Sequence, residues 1–88
     1  MNITHLVLDV LKPHEPSLPE FASSMANLKG ITRVDVSLIE MDEKTESLKV
    51  ILEGIGIYFD EIKQHMSKLG AVIHSVDQVI IEKQSRRQ

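Results

Sequence analysis

Cysteine and tryptophan are both absent from the 88-residue chain, and the aromatic side chains number three, Phe21, Tyr58 and Phe59. Without a thiol there can be no disulfide, no iron–sulfur cluster, no thiolate zinc site and no cysteine nucleophile. Without aromatics on its strands a small sheet cannot stack bases, which removes the usual way such modules bind RNA. No apolar run approaches the roughly 20 residues that cross a bilayer, and the N-terminus has no signal-like character, so a cytoplasmic location and no membrane partner are expected. Positive charge is also short. The net charge is −3, and the basic residues are scattered except for Lys83, Arg86 and Arg87, so no face is prepared for a phosphate backbone and nucleic acid is not an expected partner.

What remains is an ordinary globular composition, 42% hydrophobic, in a chain long enough for one domain. A domain this small buries only about 60% of its unfolded surface, and a partner subunit would supplement so thin a core. The domain is expected over residues 1–82. Residues 83–88 form a polar tail that has nothing to pack, with anion binding as its sharper reading.

Thr4 to Lys12 alternates as a strand. Leu6, Leu8 and Val10 face one side, and His5, Val7, Asp9 and Leu11 the other. Pro13 and Pro16 stop the ladder, and Ser17-Leu18-Pro19-Glu20 is a capping box that starts a helix at Leu18. Its stripe runs through Leu18, Phe21, Ala22, Met25 and Leu28, with Gly30 as the left-handed stop. Ile31 to Met41 alternates again. After the polar turn Asp42-Glu43-Lys44-Thr45, the residues Leu48, Val50 and Leu52 complete an antiparallel hairpin. A second helix carries Phe59, Ile62, Met66 and Leu69 and ends at Gly70. Val72 to Ile81 makes a last strand, bulged near Asp77-Gln78.

Strand, helix, strand, strand, helix, strand is the order of an α+β ferredoxin-like βαββαβ sandwich: an antiparallel four-stranded sheet with two helices on one face. The first and third strands are then central, since crossovers are right-handed. The opposite face would carry His5, Val7, Asp9, Leu11, Asp35, Ser37, Ile39, Lys49, Ile51 and Glu53. That mixture is too apolar for bulk water and too charged for a core. It predicts an interface with further copies, with Val7, Ile39 and Ile51 at the contact.

No complete catalytic, metal or nucleotide motif is present. Gly54-Ile55-Gly56 has the strand-to-helix context of a phosphate turn, but the next glycine position is Phe59, and a short connector explains the same letters. Lys12, His14 and Glu15, in a proline-braced loop opening onto a helix N-terminus, are the best candidates for binding a small anion. A solvated loop serving the helix end is the plainer account. Asp9, read as a buried carboxylate, needs a partner: Lys49, His5, or a shared hard cation such as calcium or magnesium held with Asp35 or Glu53. His65 and His74 have no ligand partner at zinc spacing and read as surface or edge residues.

The run Leu6-Val7-Leu8-Asp9-Val10-Leu11-Lys12-Pro13-His14-Glu15-Pro16-Ser17, with Val36-Ser37-Leu38-Ile39-Glu40, Phe59-Asp60-Glu61-Ile62 and Leu69 to Asp77, resembles the small archaeal domain-of-unknown-function family numbered two hundred and eleven. The resemblance spans nearly the whole chain. It implies an archaeal cytoplasmic protein, a ferredoxin-like fold and ring-like homo-oligomers, and it implies no activity. The expectation is a non-enzymatic, homo-oligomeric binding or regulatory module for a small anion or metal ion. Two alternatives stand beside it, a small enzyme with His14 as acid or base oriented by Glu15, and a scaffold that recruits another protein.

Overall fold

A computed structural model describes residues 2–83 of the chain. Six elements follow one another: β1 (Asn2–Pro13), α1 (Leu18–Ala26), β2 (Ile31–Met41), β3 (Thr45–Gly54), α2 (Phe59–Lys68) and β4 (Val72–Glu82). The strands form one antiparallel sheet in the order β2-β3-β1-β4, which makes the fold a ferredoxin-like α+β sandwich with β1 and β3 at its centre. The tail from residue 84 onward, including Arg86 and Arg87, lies outside the described residues.

The core grows from the even positions of the two central strands. Leu6, Leu8 and Val10 of β1 stand beside Leu52, Val50 and Leu48 of β3, one paired row after another, and all six are fully buried. Phe21 and Met25 of α1 and Ile62 and Met66 of α2 close over them. Both helices therefore lie on the same side, α1 against β2 and α2 against β4. Their ends follow local chemistry. The Ser17 hydroxyl accepts from the Glu20 amide at 3.3 Å while the Glu20 carboxylate accepts from the Ser17 amide at 3.0 Å, a complete capping box. In α2 the cap, Tyr58, makes no side-chain bond, and Asp60 and Glu61 in the first turn offset the exposed amides instead.

Three features refine the sequence reading. First, α1 ends at Ala26 with Asn27 as its cap, short of Gly30, because Leu28 already bonds back to Met25 in a tightened last turn. Second, Gly30 and Gly54 serve a chain crossing. Gly30 has φ 86°, the Ile55 amide donates to its carbonyl at 2.8 Å, and a Cβ on Gly54 would lie 1.8 Å from that same carbonyl oxygen. The Gly54-Ile55-Gly56 connector is thus a packing device. Third, Ile57, which belongs to neither the strand pattern nor the helix stripe, is buried and donates its amide to the Ile3 carbonyl.

Strands outlast helices here. At about 1.5 Å per residue the helices of 9 and 10 residues span roughly 15 Å, whereas strands of 10 to 12 residues span more than about 30 Å. The molecule is accordingly drawn out to 56 × 22 × 18 Å, with a radius of gyration of 13.5 Å against roughly 12 Å for a compact chain of this length. Along the edge strand β4, Val72, Val76, Val79, Ile80 and Ile81 are left exposed.

Gly54→Ala should destabilise the protein by about 3 kcal/mol, because the added methyl can be housed only by moving backbone. Urea unfolding measures this, and a midpoint equal to that of the wild type would show that the crossing is loose.

Candidate functional site

From Leu6 onward the even-numbered positions of β1 face the core, and Lys12 is the last of them. Its aliphatic stem continues the line of Leu6, Leu8 and Val10, and the side chain is fully buried. Burying an ammonium is costly unless each proton finds an acceptor. Lys12 Nζ finds three: the Pro13 carbonyl at 2.8 Å, the Pro16 carbonyl, and Glu46 Oε1 at 3.0 Å. Glu46 is there because the β1–β3 register sets it directly opposite Lys12. Its second oxygen, Oε2, accepts from His14 Nδ1 at 3.0 Å, while His14 Nε2 reaches the Glu43 carbonyl at 2.9 Å.

The loop after β1 and the turn between β2 and β3 are therefore pinned together by Lys12, Glu46 and His14. Both acceptors around the imidazole lack protons of their own, so both bonds form together only when the ring is protonated. The hydrogen bond to Glu46, then that to the Glu43 carbonyl, raises the His14 pKa above 6.5. The same bond from His14, followed by that from Lys12, lowers the Glu46 pKa below 4.5.

This geometry changes what the loop can offer. All three protons of Lys12 are used inside the chain, and both His14 nitrogens are engaged, so neither can exchange a proton with a substrate until the turn is released. Glu15 is exposed. At the start of α1 the Ser17 cap amide already donates to the Glu20 carboxylate, and the Glu20 amide to the Ser17 hydroxyl.

On the helix-free face the register forms rows. His5, Glu53 and Arg33 share one; Val7, Ile51 and Asp35 the next; Asp9, Lys49 and Ser37 a third. Asp9 and Asp35 thus lie on different rows and on strands separated by β3. Asp9 is half-buried, not buried, because no helix covers this side, and its Oδ2 accepts from His74 Nδ1 at 3.2 Å. His5 Nδ1 lies 3.4 Å from Glu53, and Arg33 Nη1 lies 3.8 Å from the same carboxylate and 3.9 Å from Asp35. Val7 and Ile51 are half-buried at the centre, and Ile39, the extra residue of a bulge in β2, is 64% exposed. Among the described residues of one copy, no three His, Asp or Glu side chains gather closely enough to hold a metal ion.

Two functional pairs escaped the sequence reading. Glu46 would have emerged from aligning Pro13 with Thr45 and counting back along the hairpin. His74 could not be found that way, because a bulge in β4 displaces it toward Asp9. The Ser24 hydroxyl and His65 Nε2, 2.6 Å apart, tie α1 to α2.

Residues 4–85 match DUF211, a family described as "Uncharacterized ArCR". The chain belongs to the DUF211 family. A curated relative, "Uncharacterized protein MJ0319" of Methanocaldococcus jannaschii, is 42% identical over 82 residues, which cover 93% of this chain and 84% of that protein. The DUF211 match takes in both the Lys12–Glu46–His14 cluster and the uncovered sheet face. Among the described residues, no helix is long and apolar enough to cross a membrane.

The cluster predicts a pH signature. His14 has a raised pKa, so its contribution to stability is complete below pH 6.5 and is lost as the pH climbs through the raised value. Glu46 contributes above pH 4.5, and that contribution is lost as the pH falls through its lowered value. The stability gap between wild type and His14→Gln should therefore be widest between these limits and shrink on the alkaline side. Denaturant unfolding from pH 4 to 9 measures it; a gap independent of pH would exclude an ionised His14.

Proposed function

We propose that this DUF211 chain is a non-catalytic, homo-oligomeric binding module whose ligand, a metal ion, is held where copies meet. The observation that carries this reading is the uncovered sheet face. Half-buried Val7 and Ile51 lie at its centre, inside a border of His5–Glu53, Arg33–Asp35 and Asp9–His74 pairs. Apolar surface ringed by charge of both signs is the character of a contact surface, since it offers both burial and orientation to a second copy. Ile39 on β2 and, on β4, Val72 and Ile80, which pair with Leu11 and His5, extend that surface onto both edges of the sheet. Long, unshielded edge strands are themselves ready to pair with another chain.

A metal ion fits this face better than an anion fits the proline loop. The loop's cation is already neutralised by Glu46, and its helix terminus by Glu20. The face holds Asp9, Asp35 and Glu53 against Arg33 and Lys49, with imidazoles between them, so its balance favours a cation. Family membership adds no activity to this account.

Light scattering should give a mass several times 9.9 kDa, and Ile51→Asp or Ile39→Asp should lower it. A wild type that stays monomeric at working concentration, both without and with added metal ion, sinks the proposal.

A further inference from the structure

The four histidines differ in what their rings leave free. His14 has both nitrogens committed, to Glu46 and to the Glu43 carbonyl. His65 meets the Ser24 hydroxyl through Nε2, on the helical side. His5 lies low on the sheet, its side chain 21% exposed, with Nδ1 toward Glu53. His74 is different. Its Nδ1 is held by Asp9 Oδ2 at 3.2 Å, its side chain is 78% exposed, and its Nε2 has no hydrogen-bond partner among the described residues.

A carboxylate that accepts from Nδ1 selects one tautomer. The proton stays on Nδ1 and the lone pair on Nε2 is presented outward, which is how a histidine is prepared to ligate a metal. The backbone contributes to this aim. Asp9 pairs with Ser75 and Val10 with Ile73, so His74 is the extra residue of a bulge, turned toward the helix-free side beside Asp9. Asp9 and His74 there line a recess of about 230 Å³ together with Val10, Leu11 and Ser47. Imidazole is a ligand for borderline transition-metal dications, whereas calcium and magnesium take oxygen.

We infer that His74, oriented by Asp9, ligates a zinc-type dication at a site completed by His74 of a second copy. One copy does not hold the ion by itself, since no trio of donors forms among its described residues. The exposed edge strand that carries His74 is able to meet its counterpart, and the ion joins the two. Asp9 acts as a positioning residue behind the ligand. This rests on the assembly proposed above and assigns the ion's place within it.

Titrating zinc chloride into the intact chain, followed by calorimetry and sedimentation velocity, tests the inference. Binding of no more than one ion per two chains is expected, accompanied by a shift toward larger species. His74→Ala should abolish both effects. Asp9→Asn should weaken zinc binding by about 10- to 100-fold while leaving it detectable. His65→Gln should leave zinc binding as in the wild type. Zinc bound equally well by His74→Ala, or one ion per chain on a monomer, overturns the inference. The mass without zinc separates the two proposals: an oligomer indifferent to zinc removes this one alone, and a monomer with or without zinc removes both.

Discussion

An ammonium group with no access to water has to be matched proton for proton, and at Lys12 that requirement organises one whole end of the molecule. The strand that builds the core delivers the lysine inward, so the loop behind it must turn two carbonyls back and β3 must present a carboxylate. Glu46 answers both Lys12 and His14, and the hairpin turn is held as a consequence. Replacing any one partner would strand another, because a buried charge without its counterion is far costlier than the pair. The rigidity of this end comes from satisfied polar groups, not from added apolar area.

The other governing constraint is length. Two short helices cannot roof four long strands, and the described residues contain no further element with which to cover the second face. What one copy leaves uncovered is mixed in character: Val7 and Ile51 resist exposure, while Arg33, Asp35, Lys49 and Glu53 resist burial without partners. In the proposed assembly a second copy resolves both demands together, since it can exclude water from the first pair and supply countercharge to the rest.

Histidine and carboxylate recur as neighbours, in His5–Glu53, His14–Glu46 and His74–Asp9, yet the three pairs do different work. Acceptors on both ring nitrogens make His14 a latch between two loops. Exposure and a free nitrogen make His74 available to something outside the chain. Identical chemistry in two residues acquires opposite uses from what stands on the far side of the ring.

Much was legible in the letters because its causes are local or periodic. Alternation with period two and a stripe at period 3.6 are set by where successive Cβ atoms point, so Leu6, Leu8, Val10, Leu48, Val50 and Leu52 declared the core and Ser17 with Glu20 declared the helix start. Element order, sheet topology and the bulge near Asp77 followed from the same patterns. Partnerships across the fold were not legible in this way. Lys12 read as a loop cation because nothing adjacent in sequence shows Glu46 opposite it, and Asp9 read as buried because its neighbours are apolar while the helices lie on the other side. Register, bulges and the side of the sheet that the helices take are properties of the assembled chain, and they decided that Lys12 faces inward, that Gly54 yields to Gly30, and that His74 meets Asp9.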